Sequence, residues 1–264
     1  MNKAIYKPKG KAGEYARYAC NFFVGCSNDC SYCYCKKGVL GHAMGGAEVK
    51  LKKCFKDKEH AFQVFQIEAI NNLQELRKHG LFFTFTSDPL LSETIQLTLN
   101  AIRFCVEHDI KVKVLSKCAD NIEHIIPAFP QWKNGVAFGF TLTGHDELEP
   151  NASTNDERIQ AMMLLKMYGY KTFASIEPIV DLDSSMDMIE ETAGYCDLYK
   201  IGLMSGKEMD KYELLEFVGR VLVIAKQYNF KVYLKDSVTK IIGETESDRL
   251  VSADYDLFEK GGPQ

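Results

Sequence analysis

The sequence predicts an α/β protein folded as a partial (β/α) barrel of about six to seven parallel strands. Short apolar or β-branched runs, typical of strands covered on both faces, alternate along the chain with amphipathic helical patterns. Such alternation builds parallel βαβ units. The 264 residues suit one such barrel, and they contain no linker, low-complexity segment or clear repeat.

Seven segments have the strand pattern: residues 17–24, 81–86, 111–116, 136–142, 171–176, 198–203 and 231–234. Apolar spacing predicts helices over residues 62–76, 95–106 and 215–225, with Ser92 as the N-cap of the second. Thr154 and Glu157 have the spacing of a capping box, which predicts a further helix start. We therefore expect an N-terminal extension over 1–15, the barrel over 16–242 and a polar C-terminal tail over 243–264.

Composition and charge narrow the class of protein. A hydrophobic fraction of 46% with 26% charged residues is typical of a soluble globular domain. The net charge of −4 disfavours broad, nonspecific nucleic-acid binding, although five lysines between residues 50 and 58 leave a local polyanion contact open. No secretory leader and no stretch of membrane-spanning length is present. We expect a cytoplasmic protein without membrane association.

Three cysteines are crowded into one short segment. Cys26, Cys30 and Cys33 have the spacing C-x3-C-x2-C directly after the first predicted strand. Nine cysteines in a reducing compartment are unsuited to a disulfide framework, and three thiolates on one loop can wrap an iron–sulfur cluster. Three ligands for four irons leave one iron open to a further ligand. The alternative is a zinc site with Cys20 or Cys35 as fourth ligand, although zinc sites more often use paired C-x2-C knuckles.

The segment CSNDCSYCY, residues 26–34, resembles the cysteine motif of the radical S-adenosylmethionine superfamily. Within it, residues 22–180 are similar to the spore photoproduct lyases and related repair photolyase-like proteins. The shorter shared pieces are Thr86-Ser87-Asp88, Leu115-Ser116-Lys117, Phe140-Thr141, Glu149-Pro150 and Asp156-Glu157-Arg158. The resemblance implies a radical SAM core with a [4Fe–4S] cluster, S-adenosylmethionine on the open iron, a 5′-deoxyadenosyl radical and an external electron donor of flavodoxin or ferredoxin type.

The same resemblance implies which residues bind the cofactor. Ser87 and Asp88 match a motif that holds the cofactor's amino group, and Lys117 would pair with its carboxylate. The remaining contacts would be Thr141, which replaces a serine, Tyr32 and Tyr34 near the adenosine, and Arg158. Each has a structural alternative: a turn at Ser-Asp-Pro, a solvated strand-end lysine, aromatic core filling, and surface pairing of Arg158 with Glu157 or another neighbour.

One departure from the lyases concerns hydrogen donation. The lyases have a cysteine three residues before the aspartate that matches Asp88, and this chain has Phe85 there. The neighbouring threonines cannot replace a thiol, so we expect this protein not to be that lyase. Cys35 and Cys118 are the alternative hydrogen donors. Glu177, at a strand end, either contacts substrate or forms an ion pair with Lys200 or Lys235.

The sequence therefore predicts a radical enzyme that abstracts hydrogen from an unknown substrate, with nucleic acid among the candidates. The alternatives are a DNA repair enzyme of the spore photoproduct lyase type and a noncatalytic iron–sulfur redox sensor. The cofactor-binding positions favour an enzyme. Substrate, oligomeric state and the fate of S-adenosylmethionine are left open.

Overall fold

The computed structural model describes residues 4–37 and 41–258, without the side chains of residues 42 and 43. Its strands are Ile5–Tyr6 (β1), Ala19–Cys20 (β2), Phe23–Val24 (β3), Lys50–Leu51 (β4), Leu81–Phe83 (β5), Val112–Ser116 (β6), Val136–Thr141 (β7), Lys171–Ile179 (β8), Leu198–Leu203 (β9) and Lys231–Leu234 (β10). Its helices are Gly41–Met44 (α1), Lys58–Asn71 (α2), Leu73–His79 (α3), Ile95–Glu107 (α4), Ile122–Ala128 (α5), Asn155–Met167 (α6), Leu182–Thr192 (α7), Lys211–Tyr228 (α8) and Asp236–Ile242 (α9).

The predicted partial barrel is confirmed. Eight strands form one sheet in the order β1-β2-β5-β6-β7-β8-β9-β10. Every pair from β2 to β10 is parallel, so seven strands follow the βαβ pattern. Helices lie between successive strands from β5 onward, which brings the carboxyl ends of these strands to one side of the sheet.

The amino-terminal region differs from the predicted pattern. The expected strand over 17–24 is split, because the chain leaves the barrel after β2 and β3 pairs instead with β4 in a separate antiparallel ribbon. Within the expected extension, β1 adds an antiparallel edge strand, with Ile5 opposite Cys20. Strands β1 and β3 are each two residues long, which is too short for a periodic sequence pattern to be visible.

Helix boundaries confirm one capping prediction and correct another. Thr154 Oγ1 accepts from Glu157 N at 3.2 Å, and Glu157 Oε2 accepts from Thr154 N at 2.7 Å, so the capping box is present. Ser92 is not an N-cap, because its hydroxyl bonds Glu93 and α4 begins three residues later. The helical pattern over 62–76 comprises two helices, α2 and α3, separated at Asn72.

The inside of the barrel is filled by large and small side chains in contact. A β-carbon at Gly139 would lie 2.4 Å from the ring of Phe173, so the glycine makes room for the ring.

Residues 243–258, expected as part of a polar tail, lie against the amino ends of the strands. Val251 N donates to Val232 O at 3.0 Å, and Leu257 is buried beside Phe173. None of the described helices is long and apolar enough to span a membrane.

Candidate active site

A cavity of about 420 Å³ lies at the carboxyl ends of the parallel strands. In barrels of this kind the strand ends and the loops that follow them supply the reactive groups. Eleven of the predicted site residues line the cavity: Cys26, Cys30, Tyr32, Cys33, Tyr34, Cys35, Ser87, Asp88, Lys117, Thr141 and Glu177. The site predicted from scattered segments is therefore one contiguous surface.

The cysteine loop enters the cavity through a sharp turn. Gly25 has φ +78°, and a β-carbon there would lie 2.1 Å from Glu48 O, so only glycine fits. Cys26 N then donates to Gly46 O at 2.9 Å, and Cys33 N donates to Cys30 O at 3.2 Å. These bonds present all three cysteines to the same space.

The donor set suits an iron–sulfur cluster. Among residues 4–37 and 41–258, no three His, Cys, Asp or Glu side chains converge where a single metal ion could sit. A [4Fe–4S] cluster does not need such convergence, because each thiolate binds a different iron, and three cysteine thiols on one loop are the ligands it takes.

The three thiols differ in acidity. Burial raises the pKa of Cys26 to about 12 and also raises that of Cys30. A hydrogen bond from the Cys35 thiol lowers the pKa of Cys33 to about 6. Iron binding requires thiolates and must therefore release protons from Cys26 and Cys30.

A buried carboxylate organises one wall of the cavity. Glu149 accepts from the Tyr32 hydroxyl and, at 2.5 Å, from Arg158 Nη1. Lys117 Nζ lies 4.0 Å from Glu149 Oε1 and 5.5 Å from the centre of the Tyr32 ring. Burial lowers the pKa of Lys117, but the negative charges of Glu149, Cys30 and Asp88 together raise it above its usual value, so the ammonium form is favoured. The sequence had assigned no role to Glu149, although its Glu-Pro pair belongs to the resemblance.

Arg158 lies behind this wall and does not line the cavity. Its side chain is fully buried, and Nη1 also donates to Thr141 O at 2.9 Å. The alternative of surface pairing with Glu157 is wrong, because Arg158 faces inward and bonds Glu149. It positions Glu149 and the end of β7.

Asp88 lines the cavity, but its carboxylate is already saturated. Oδ1 accepts from Ser116 Oγ at 2.7 Å and Leu90 N at 3.0 Å, while Oδ2 accepts from Lys117 N at 2.7 Å and Asn28 Nδ2 at 2.9 Å. A carboxylate offers about four acceptor positions. Asp88 thus ties the cysteine loop, through Asn28, to the end of β6.

Ser87, Thr141 and Tyr34, which were also predicted to contact the cofactor, line the cavity. The buried Ser87 Oγ has no hydrogen-bond partner among the described residues. Thr141 lines the cavity at the end of β7. The Tyr34 hydroxyl donates to Phe85 O, which holds its ring against the same wall.

The two candidate hydrogen donors are placed differently. Cys35 is buried, lines the cavity, and its Sγ lies 3.6 Å from Phe85 O. Cys118 lies outside the lining, and its Sγ donates to Asn28 Oδ1 at 3.4 Å. Burial keeps the pKa of Cys118 above its usual value. Of the two thiols, only Cys35 lines the cavity.

Glu177 lines the cavity and is held by two neighbouring side chains. Its Oε2 accepts from Lys235 Nζ at 2.5 Å and from the Tyr15 hydroxyl at 2.7 Å, and the same hydroxyl lies 2.6 Å from Ser175 Oγ. The predicted ion pair is therefore formed with Lys235. Lys200 instead donates to Glu14 O at 2.8 Å.

The sequence missed Tyr15 and Ser175, although both line the cavity. They are 160 residues apart in the chain, and no local pattern links an N-terminal tyrosine to a serine inside β8. Because Tyr15, Ser175, Glu177 and Lys235 all reach the cavity, the ion pair and a substrate contact are compatible roles for Glu177.

No family model matches the chain. An uncharacterized protein of Methanocaldococcus jannaschii is 23% identical over 244 residues, which is 86% of each chain. Among solved structures, spore photoproduct lyase complexed with dinucleoside spore photoproduct has a TM-score of 0.66 at 16% identity, over 89% of this chain and 79% of the lyase. A double mutant of the lyase with bound AdoMet and the same dinucleoside has a TM-score of 0.63 at 16% identity, over 83% and 76%. The resemblance to spore photoproduct lyase is thereby confirmed at the level of the fold.

Proposed function

We propose, from the fold that this chain shares with spore photoproduct lyase, that it is a radical S-adenosylmethionine enzyme. The observation that carries the proposal is the convergence of Cys26, Cys30 and Cys33 with the predicted cofactor residues on one cavity. A reduced [4Fe–4S] cluster bound there supplies the electron that splits the cofactor and yields a 5′-deoxyadenosyl radical. Such chemistry belongs in a reducing compartment, and we place the protein in the cytoplasm.

The chain's own residues provide complementary contacts for a zwitterionic cofactor. Lys117 supplies a cation for its carboxylate, and Glu149 and the Tyr32 ring hold that cation in place. Ser87 offers an unpartnered hydroxyl for the amino group. Asp88 acts indirectly, because its carboxylate accepts hydrogen bonds that hold Lys117 N and the Asn28 side chain in place. It adds negative charge to the site without a free acceptor position.

Three aromatic side chains, Phe82, Phe85 and Tyr15, form an aromatic wall that shields the site from water. Phe85 stacks on Phe82 with ring centres 4.6 Å apart, and its edge meets Tyr15 at 5.9 Å. A carbon radical needs a dry space, since side reactions compete with the intended hydrogen transfer. We assign substrate binding to the part of the cavity that Phe85, Tyr15 and Glu177 line, where Ser175 and Lys235 supply fixed polar contacts.

We expect iron-loaded, reduced protein to cleave S-adenosylmethionine slowly to 5′-deoxyadenosine and methionine without any substrate. Chromatography of the quenched reaction measures both products. Cys54→Ala is the matched control, because Cys54 is exposed and lies outside the cavity; it should retain full cleavage. A fully loaded and reduced protein that formed no 5′-deoxyadenosine would contradict the enzyme proposal and favour the redox sensor.

A repair enzyme of the lyase type is the second candidate, because the solved structures that share the fold include the lyase with its dinucleoside lesion. Phe85 opposes it. Its ring lines the cavity where the resemblance requires a thiol, and a phenyl ring has no labile hydrogen for a substrate radical. We therefore propose that the substrate of this chain differs from spore photoproduct.

The test is to incubate the reduced enzyme and cofactor with dinucleoside spore photoproduct and to look for released thymidines by chromatography. We expect cofactor cleavage without thymidine release, because the donor position is occupied by Phe85. Release at a rate comparable with cofactor cleavage would refute this expectation. Cys35→Ala would then identify the donor, since the Cys35 thiol lies beside Phe85 O.

A further inference from the structure

We infer that the β3–β4 ribbon, with the lysine loop that continues it to residue 58, is the docking surface for an acidic electron-carrier protein of ferredoxin or flavodoxin type. The inference rests on the proposed function, because it concerns how the cluster receives its electron. It assigns to this surface a partner that the fold alone does not locate.

The ribbon is joined directly to the cysteine loop. Val24 pairs with Lys50, and Cys26 follows two residues after Val24. The outgoing chain is bonded to the same loop, since Gly25 N donates to Met44 O at 3.2 Å and Cys26 N donates to Gly46 O at 2.9 Å. Val24, the register partner of Lys50, is therefore at most about 7 Å along the chain from Cys26, the first proposed cluster ligand. A carrier seated on the ribbon lies close to the cluster, as rapid electron transfer requires.

The surface is positive on an acidic protein. Residues 46–59 contain five lysines and three carboxylates, a local charge of +2 against −4 for the whole chain. Lys50, Lys53, Lys56 and Lys58 are exposed. Of the carboxylates, Glu48 pairs with Lys50 at 2.7 Å and Asp57 caps His60 N at 2.7 Å. The positive charge of this patch would attract a negatively charged carrier to it.

The lysine loop is held in a fixed shape. Phe55 is buried, with its ring 6.3 Å from that of Phe22, and Lys52 N donates to Phe22 O at 2.9 Å. Lys58 Nζ is bonded to Glu93 O at 2.8 Å. A preorganised surface binds a partner with less loss of side-chain freedom than a mobile one.

The patch also lies apart from the space assigned to substrate. Among the described residues that line the cavity are Met44, Gly45 and Gly46, but not the exposed lysines at 50, 53, 56 and 58. Nucleic acid is the competing occupant, since lysines also bind phosphates. An acidic carrier fits better, because the ribbon is bonded directly to the cysteine loop and its exposed lysines do not line the cavity assigned to substrate.

One electron passes in each productive encounter. The reduced carrier is oxidised by one electron, the oxidised cluster held by Cys26, Cys30 and Cys33 is reduced by one electron, and no bond forms between the proteins. The lysines take no part in this transfer. They raise the rate of encounter and fix the orientation of the carrier.

The test variant is Lys53→Glu with Lys56→Glu, because both side chains are exposed and neither ammonium group forms an ion pair with another described residue. Lys211→Glu with Lys226→Glu, on exposed positions of α8, is the control with the same change in charge. Stopped-flow absorbance follows reduction of the oxidised, iron-loaded protein by reduced ferredoxin, by reduced flavodoxin and by reduced methyl viologen. Titration calorimetry measures the affinity of each oxidised carrier for the same proteins.

At low salt we expect the test variant to lose about tenfold in second-order rate constant and in affinity with the carriers, and the difference to shrink at high salt. The control variant, and every reaction with methyl viologen, should stay within about twofold of wild type. The inference would be overturned if methyl viologen reduced the wild-type protein but neither carrier did. The inference would also be overturned if the test variant were reduced by the carriers at wild-type rates. If the test variant lost only the ability to bind an oligonucleotide, the patch would be assigned to nucleic acid instead. Failure to bind iron would instead count against the proposed function.

Discussion

Replacing Cys26, Cys30 and Cys33 together with alanine should lower the iron content of anaerobically purified protein from about four atoms per chain to near zero. The three thiols are the proposed cluster ligands, and the removal of all of them takes away the donor set that the loop presents to the cavity. Cofactor cleavage should disappear with the iron. Iron and sulfide analysis, together with the visible absorbance of the cluster, measures the loss.

Two controls make this result specific. Cys54→Ala removes an exposed cysteine outside the cavity and should keep the iron content of the wild type. Circular dichroism should show that the triple variant retains its secondary structure, because the loop bonds at Gly25 and Cys26 use backbone atoms. Full iron retention in the triple variant would refute the ligand assignment. One tightly bound zinc in the wild type, with no iron, would establish the zinc alternative.

Asp88→Ala should lower the free energy of unfolding by about 3 kcal/mol, because four donors lose their acceptor and buried unsatisfied groups cost about 1–3 kcal/mol each, partly relieved by entering water. The affected donors belong to Asn28, Leu90, Ser116 and Lys117. Cofactor affinity should also fall, since Lys117 and the cysteine loop lose their common anchor. Denaturant unfolding and calorimetric titration with S-adenosylmethionine measure the two effects.

Asp57→Ala is the matched control for this change. Asp57 is an exposed N-cap whose Oδ1 accepts from His60 N, so its loss should cost about 1 kcal/mol and leave cofactor binding unchanged. An Asp88→Ala protein as stable as the Asp57→Ala protein would contradict the anchoring role. A direct bond to the cofactor ammonium, as the resemblance first implied, would instead reduce affinity with little effect on unfolding of the cofactor-free protein.

Local signals in the sequence were enough for the framework. Buried parallel strands need nearly continuous apolar residues, so β5 to β10 were visible as runs. Helical periodicity predicted α4, α6 and α8 between them, whereas α5 and α7 were not predicted. Three cluster ligands on one loop leave a fixed spacing, and strand-end residues share one face of a barrel whatever their separation in the chain. These constraints predicted that Cys33, Lys117 and Glu177 would line one site, as they do.

The tertiary structure alone decided how these residues are used. Whether the Asp88 carboxylate has a free acceptor position depends on hydrogen-bond donors from three chain segments. Arg158 faces Glu149 rather than solvent because α6 packs against β7. The link from Tyr15 to Ser175 and Glu177 joins the N-terminal segment to β8. Short β strands such as β1 and β3 are stabilised by their partners rather than by their own residues. A sequence records local preference, but hydrogen-bond partners are chosen by chain segments that meet only after folding.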